Sequence, residues 1–287
     1  MHSLKRSYRL CQQVTRQKAR NFFYAFLLLP KNRRKAIYAV YAFMRHSDDV
    51  VDSSLSKERS SQLQAWRQSV KIALEDGPID HPILPAFVDA VKQFNIPHNY
   101  FFELLDGIQM DLEKDRYQNF EELYTYCYRV ASVVGLVCVH IFGFKDPRAL
   151  QLAESAGIAF QVTNILRDIR EDGTGNRVYL PLDDLKKFRY PVESLRQGVV
   201  DDHFRRLLHF QIERARDYYH QAEQLVPLVE PDCQKALSAL IGIYRGLLEK
   251  IYKEHELLFE KQIRLSLLEK LSIVFRAWRA PIPAPVL

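Results

Sequence analysis

Apolar residues recur three and four positions apart along most of this chain, which is the spacing of a buried helix face. The apolar run at residues 21–29 ends at Pro30, and no convincing alternating strand or hairpin turn is present. The pattern therefore predicts an all-α fold. The predicted helices cover residues 3–20, 33–53, 57–75, 82–94, 97–113, 120–144, 147–172, 202–228 and 231–256, with short helical pieces over 181–200.

Chain length and the lack of linkers indicate how these helices are organised. The chain has 287 residues, enough for one large domain or two small ones. No internal repeat and no low-complexity segment divides it. Residues 1–287 are therefore predicted to form a single-domain helical bundle around a central cavity.

The C-terminal tail, residues 265–287, has a pattern of its own. Apolar residues at helical spacing between Leu265 and Trp278 are interspersed with Lys270, Arg276 and Arg279. An ordinary packing helix accounts for this pattern. A helix that rests on a membrane surface, in peripheral association, is the alternative.

Charge and composition narrow the range of partners and compartments. A net charge of +6 permits anionic partners such as diphosphates, a membrane surface or nucleic acid. No helix-turn-helix, zinc-finger or RNA-binding pattern is present, so no nucleic-acid partner is predicted. The four cysteines form no CxxC pair, which predicts reduced thiols. Without a signal peptide or an apolar run of about 18 residues, the chain is predicted to be cytoplasmic, with the inner membrane face as an alternative location.

Three carboxylates lie within five residues at the end of the predicted helix 33–53. Asp48 and Asp52 are four residues apart and share one helix face, while Asp49 is turned by about 100°. Like charges at this spacing destabilise a helix by a few tenths of a kcal/mol. The motif is therefore either an acidic helix end that faces water or part of a site for divalent cations.

A second stretch of oxygen ligands lies near the end of the predicted helix 147–172. Asn164, Asp168 and Asp172 follow each other at four-residue spacing, and Gln161 lies one turn earlier. Two such helices can face each other across a bundle and form a cage of hard ligands. This arrangement suits Mg²⁺ that is bound together with substrate phosphates.

Paired Mg²⁺ motifs in an aromatic-rich helical protein predict the ionisation of an allylic diphosphate. Metal ions and arginines neutralise the leaving diphosphate, so that the C–O bond can break. The resulting carbocation needs a pocket without water, and aromatic faces stabilise its charge. Taken singly, each aromatic residue is better explained by core packing.

Six blocks of the sequence make the interpretation specific. They are ARNFFYAFLLLP (19–30), AIYAVYAFMRHSDDVVD (36–52), YCYRVASVVG (126–135), FQVTNILRDIRED (160–172), NRVYLP (176–181) and IYRGLL (243–248). Through them the chain resembles the squalene/phytoene synthases, which join two prenyl diphosphates head to head. The resemblance implies a bundle of the isoprenoid synthase type and a prenyl diphosphate substrate.

The resemblance also assigns roles to individual residues. It implies two or three Mg²⁺ ions, and its expected metal ligands are Asp48, Asp52, Asn164, Asp168 and Asp172. Candidates for orienting the diphosphate, relaying a proton or shielding a cation are Tyr41, Tyr128 and Tyr244. Candidates for contacting the substrate are Arg20, Phe22, Phe26, Tyr38, Arg45, Gln161, Arg167 and Arg177, of which Arg45 and Arg167 are also catalytic candidates.

Two bulky rings bear on the length of the substrate. Phe26 and Tyr38 are expected to flank the first acidic motif on the cavity wall, where they would shorten the pocket. This favours two C15 farnesyl chains and a C30 product: presqualene diphosphate, squalene or dehydrosqualene. Formation of squalene would require NADPH. The alternatives are a phytoene synthase that uses geranylgeranyl diphosphate and a non-catalytic, membrane-associated assembly factor.

Overall fold

The computed structural model describes residues 3–19, 22–52, 58–175 and 177–280. Over these ranges the backbone forms helices and no extended strand, with isolated bridges at Arg116–Val178 and Phe144–Val229. The α-helices are α1 (Leu4–Lys18), α2 (Phe23–Phe26), α3 (Lys31–Asp52), α4 (Arg59–Leu74), α5 (Leu84–Gln93), α6 (Asn99–Glu113), α7 (Phe120–Cys127), α8 (Val133–Phe142), α9 (Arg148–Arg167), α10 (Ile169–Thr174), α11 (Leu182–Lys187), α12 (Val192–Gln197), α13 (Asp202–Glu223), α14 (Pro231–Lys253) and α15 (Leu267–Arg279).

Side-chain caps explain where several of these helices begin. Asn119 accepts a hydrogen bond from the backbone N–H of Glu122 at the start of α7, and Asp201 accepts one from Phe204 at the start of α13. Ser266 and Glu269 form a capping box at the start of α15. The predicted all-α fold is therefore confirmed, and these polar residues set several of its helix boundaries.

Two predicted helices are interrupted. The helix predicted at 120–144 contains a π-helical turn, Tyr128–Ser132, between α7 and α8. The helix predicted at 147–172 ends at Arg167, because Asp168 leaves helical geometry (φ −98°, ψ 9°) before α10 begins. Hydrophobic periodicity does not report a single extra residue in a turn or a local bend, so neither feature was predictable from the pattern.

Helices α3 and α9 hold the core together. α3 packs against α1, α4 and α5, and α9 packs against α8, α13 and the π-helical turn. The packing face of α9 is rich in small residues, and these allow its neighbours to approach closely. The closest approach is at Gly157, where an added Cβ would lie 2.3 Å from the Cα of Ser132.

One helical stretch, Phe120–Phe142, is long and apolar enough to cross a membrane by length and composition. It consists of α7, the π-helical turn and α8, and half of its most apolar window is buried inside the fold. It packs against α6 and α9. A core helix that is buried on several sides has the same composition as a spanning helix, so the test is weak evidence for a span.

We expect Gly157→Ala to destabilise the fold by about 3 kcal/mol, because the new methyl group would overlap the backbone of the π-helical turn. Gly173→Ala is the matched control, since the nearest atom to its Cβ is 3.8 Å away. Urea denaturation of both variants checks this. Equal stability of the two variants would show that the α9 contact can relax.

Candidate active site

A cavity of about 350 Å³ lies between α3, α9 and α14, with α2, α8 and the π-helical turn completing its wall. On α3 its lining runs from Asp48 at one end to Ile37 at the other, and on α9 from Asn164 to Ala153. On both helices the lining therefore changes from polar to apolar in the same direction. The cavity has a polar mouth and an apolar interior, as a ligand with a charged head and a hydrocarbon chain requires.

The polar mouth brings together side chains from both predicted motifs. α3 contributes three of them, α9 two and α14 one, and all six were candidates from the sequence: Tyr41, Arg45, Asp48, Gln161, Asn164 and Tyr244. Burial raises the pKa of Tyr41 to about 12. Its phenol therefore stays protonated near neutral pH and can donate a hydrogen bond.

An aromatic row forms one wall of the cavity. The rings of Phe22 and Phe26 stack with centroids 6.0 Å apart, and Phe22 stacks on Tyr244 at 5.1 Å. Tyr244 in turn stacks on Phe160 at 4.3 Å. Phe160 was not a sequence candidate, although it precedes the second motif directly. All four rings line the cavity and offer their π-systems to a ligand inside it.

The carboxylates of the first acidic motif do not all point into the cavity. Asp48 lines the cavity, whereas the carboxylate of Asp49 forms an ion pair with Arg45. The predicted ligand Asp52 is the last residue of α3, and its side chain lies outside the part that the structure describes. Asp48 thus occupies the place that the motif predicts.

Asn164 has a buried amide oxygen that suits a cation or a ligand group. Its Nδ2 donates to Oε1 of Gln161 at 3.3 Å, which turns Oδ1 away from that residue. Oδ1 is buried, and among the described residues no donor reaches it. A buried oxygen without a hydrogen-bond donor is unfavourable unless a cation or a ligand group satisfies it.

Asp168 is held by its neighbours. Arg167 donates to both of its carboxylate oxygens, at 2.8 and 2.5 Å, and Gln262 donates to Oδ1 at 2.5 Å. Burial disfavours the charge on Arg167 and lowers its pKa. The hydrogen bonds and the charge of Asp168 outweigh this effect of burial, so the pKa of the guanidinium is raised. Arg167 therefore stays charged.

Asp172 follows Asp168 by one helical turn and is not among the residues that line the cavity. Burial and the neighbouring charges of Asp168 and Asp111 together raise its pKa to about 7, against the opposing charge of Arg177. Crowded, buried carboxylates of this kind become favourable when a cation shares their charge. Asp172 therefore binds a proton more readily than a solvent-exposed aspartate does.

Arg177 is held by a polar network around Asp111. One of its guanidinium nitrogens donates to the backbone oxygen of Asp111 at 3.0 Å. The backbone N–H of Arg177 donates to the backbone oxygen of Asp172 at 2.9 Å. The carboxylate of Asp111 accepts from the hydroxyls of Tyr126 at 2.9 Å and Tyr179 at 2.8 Å. Asp111 was not a sequence candidate. Its position inside an apolar helix, between Met110 and Leu112, was the available signal.

A second, cationic pocket of about 460 Å³ adjoins the mouth, because Arg45 and Tyr244 line both spaces. Its charged lining residues are all basic: Lys18, Arg45, Arg167, Arg264 and Lys270. Lys18, Arg264 and Lys270 were not sequence candidates. They come from opposite ends of the chain, and no local motif links them. The pocket suits an anion with several negative charges.

Three further candidates lie elsewhere. Tyr38 is buried and packs behind Phe26, with ring centroids 6.5 Å apart, and it is not among the residues that line the cavity. Tyr128 also lies off the cavity, on the side of the π-helical turn that faces Glu103 and Glu154. Arg20 lies outside the described residues.

The residues present fit a divalent cation. Among the described side chains, no three His, Cys, Asp or Glu residues converge on one point. An amide oxygen such as that of Asn164 can also bind a cation, and the side chain of Asp52 lies outside the part that the structure describes. A cation would satisfy the buried oxygen of Asn164 and would favour the charged form of Asp172.

An all-α bundle whose apolar cavity opens beside acidic and basic side chains suits the class of enzymes whose ligands combine a hydrocarbon chain with an anionic head group. The family model for squalene/phytoene synthase matches residues 15–269. A 15-cis-phytoene synthase of Synechococcus elongatus is 35% identical over 273 residues, covering 91% of this chain and 88% of the relative. A phytoene synthase of Mycobacterium tuberculosis is 37% identical over 281 residues, covering 96% and 92%.

Solved structures of related synthases share this fold. A dehydrosqualene synthase in complex with ligand superposes with a TM-score of 0.89 at 27% identity and covers 96% of each chain. A squalene synthase of Alicyclobacillus acidocaldarius gives 0.82 at 27% identity, covering 88% of this chain and 95% of that one. The chain belongs to the squalene/phytoene synthase family, whose members are prenyltransferases. The family resemblance and the isoprenoid synthase type of fold are both confirmed.

The raised pKa of Asp172 predicts a pH dependence of stability. In the unfolded chain its pKa is about 3.9, so between about pH 4 and 7 the folded state binds the extra proton. The free energy of unfolding should therefore fall as pH rises through this window, by at most about 1.4 kcal/mol per pH unit from this group. Asp172→Asn should remove that part of the slope.

Urea denaturation of the metal-free protein at pH 5 and pH 8 provides the measurement. The wild-type protein should lose more stability between these values than Asp172→Asn does. Identical losses in the two proteins would show that Asp172 ionises normally in the folded state.

Proposed function

We propose that this chain condenses two molecules of geranylgeranyl diphosphate, head to head, into the C40 hydrocarbon phytoene. The observation that carries the proposal is the cavity, which joins an apolar wall to a mouth of paired charges. The choice of product is supported by relatives at 35–37% identity over nearly the whole chain, which are phytoene synthases. Their names favour the C40 alternative over the C30 product that Phe26 and Tyr38 indicate.

The basic side chains of the mouth and the cationic pocket bind the diphosphates. Arg45 faces both spaces, and Arg167, Arg264 and Lys270 line the cationic pocket. Guanidinium groups match the geometry of phosphate oxygens, and the charge on Arg167 is secured by its pair with Asp168. Tyr41 remains a neutral phenol and donates a hydrogen bond to a diphosphate oxygen instead of acting as a base.

Asp48, Asp52, Asn164, Asp168 and Asp172 are the residues that would hold Mg²⁺. When bound, Mg²⁺ supplies positive charge that stabilises the departing diphosphate. Asn164 offers an oxygen that has no other partner among the described residues, and Asp172 must lose its proton before it can coordinate.

The apolar part of the cavity protects the carbocation. Its aromatic row, from Phe26 through Phe22 and Tyr244 to Phe160, places π-faces beside the hydrocarbon. These faces stabilise positive charge without a lone pair that could trap it. Aliphatic neighbours such as Val130 and Leu240 exclude water, which would otherwise quench the cation as an alcohol.

The reaction balances without a reductant. The first diphosphate leaves, C1 of its chain is attacked by the C2–C3 double bond of the second molecule, and a proton is lost to give a cyclopropylcarbinyl diphosphate. The second diphosphate then leaves, the cation rearranges, and loss of a second proton gives the C40 product. Squalene formation would replace this second proton loss by hydride transfer, which is why only a squalene product would require NADPH.

A C30 product is the second candidate. Phe26 lies on the cavity wall and is almost completely buried, so its ring occupies space that a longer chain could use. The dehydrosqualene and squalene synthases at 27% identity share the fold closely. The product assay below separates the two candidates.

Asp48→Asn tests the metal-binding assignment. We expect its turnover to fall by about 10³-fold or more, because the amide supplies no negative charge to a divalent cation. The melting temperature should remain within a few degrees of the wild-type value, since the side chain keeps its shape. Asp76→Asn is the control: it removes a carboxylate from a surface pair with Lys92, and asparagine tolerates the positive φ of 63°. Near-wild-type turnover in Asp48→Asn would exclude a role in metal binding.

The product assay tests the whole proposal. The purified protein is incubated with Mg²⁺ and either geranylgeranyl or farnesyl diphosphate, with and without NADPH, and the extracted hydrocarbons are analysed by mass. We expect phytoene from geranylgeranyl diphosphate, independent of NADPH. A product from farnesyl diphosphate alone would support the C30 candidate instead, and no product from either substrate would contradict both.

Phe26→Ala adds a test of chain length in the same assay. If the ring limits pocket depth, the variant should raise the activity on geranylgeranyl relative to farnesyl diphosphate by several fold. An equal loss of activity on both substrates would show that Phe26 only packs the wall.

A further inference from the structure

Helix α15 exposes an apolar stripe that nothing in the described chain covers. Five large side chains form it, with exposed fractions of 51% for Leu267, 78% for Leu268, 41% for Leu271, 53% for Phe275 and 53% for Trp278. At 100° per residue they fall within an arc of about 100° on the helix. The stripe is therefore a continuous surface.

The opposite side of α15 is packed against the bundle. Ile273 contacts α14 at Gly242 and Gly246, and Ala277 is buried. The carboxylate of Glu269 accepts from Nζ of Lys250 at 3.0 Å. These contacts and the capping box at Ser266 hold the helix in place, so the stripe faces outward as a consequence of the fold.

Basic residues border the stripe. Arg276 and Arg279 follow it along one edge, and Arg279 lies over the ring of Phe275 at 5.6 Å. Lys235 of α14 lies over the ring of Trp278 at 5.7 Å. The only carboxylate of α15 is Glu269, which is paired with Lys250. The border is therefore positively charged.

A further exposed apolar side chain lies next to an element that α15 contacts. Helix α15 packs against α2, and the residue that follows α2, Leu27, is 47% exposed. Arg34 donates to the backbone oxygen of Leu27 at 3.1 Å, which places another guanidinium beside it. Two elements that are distant in sequence thus contribute the same combination of an apolar centre and a cationic border.

We propose that the exposed stripe of α15, with its basic border, docks the protein on an anionic lipid bilayer. Apolar side chains with Trp and Phe, bordered by Arg and Lys, are the composition of helices that lie in the membrane interface. A second copy of the chain fits less well. If a fully exposed large side chain presents roughly 200 Å², the exposed fractions of these five side chains amount to about 550 Å². Each partner in a standard interface buries more, about 800 Å².

Docking through α15 would also determine where the cationic pocket lies relative to the bilayer. Lys270 lies on the bundle side of the same helix and lines the cationic pocket beside the cavity mouth. Docking through α15 would therefore hold that pocket close to the lipid surface. This inference goes beyond the proposed reaction, and its test needs no substrate.

The test uses the full-length protein and vesicles of phosphatidylcholine, with or without phosphatidylglycerol. Flotation should recover the protein with the anionic vesicles only. Brominated acyl chains should quench Trp278, while Trp66 is buried, donates to Oγ of Ser47 at 2.9 Å and should stay unquenched. Trp278→Phe should abolish the quenching and retain flotation.

Leu268→Glu/Phe275→Glu should lower the vesicle-bound fraction by about tenfold, since two charges would enter the interface. Val199→Glu is the matched control, because Val199 is 37% exposed outside α15 and should bind vesicles normally. Circular dichroism verifies that both variants fold. Absence of vesicle binding, or equal binding by both variants, would overturn the proposal. So would a wild-type dimer that the double variant converts to a monomer.

Discussion

Half-buried, crowded carboxylates around the start of α10 and the end of α6 are the constraint on which the rest of this site depends. Burial disfavours their charge, as the pKa of about 7 at Asp172 shows, so each one needs a specific partner. Arg167 binds Asp168 through two hydrogen bonds, and two tyrosine hydroxyls bind Asp111. These contacts leave Asp172 and the amide oxygen of Asn164 as the sites where a cation would contribute most. The apolar helices around them keep water away from the same place.

The partners of these carboxylates also fix the backbone that carries them. The segment after α10 runs beside the segment after α6, with the backbone N–H of Val178 donating to Asp115 at 2.8 Å and that of Leu182 to Tyr117 at 3.0 Å. Arg177 is placed by this pairing and by its contact with Asp111. The end of the second motif is therefore positioned by α6, although the two are about sixty residues apart in the chain.

Local patterns predicted much of the fold and part of the site. Helical periodicity placed most elements, and four-residue spacing placed Asp48 and Asn164 at the same cavity mouth. Periodicity could not show the π-helical turn, which rotates Tyr128 off the cavity, because one extra residue in a turn leaves the apolar pattern almost unchanged. Nor could it show the cationic pocket, because Lys18 and Lys270 meet only when the ends of the chain pack together.

The length of the product depends on side chains from several helices and not on one local motif. Phe26 is a single ring on the wall, and Tyr38 stands behind it. Across the cavity, Ala131, Ala153 and Ala156 present short side chains from the π-helical turn and α9. A bulky ring on one helix narrows a pocket only if the facing helices do not recede. The available depth is a sum over several helices. Phe26 and Tyr38 alone therefore do not determine the length of the chain that fits.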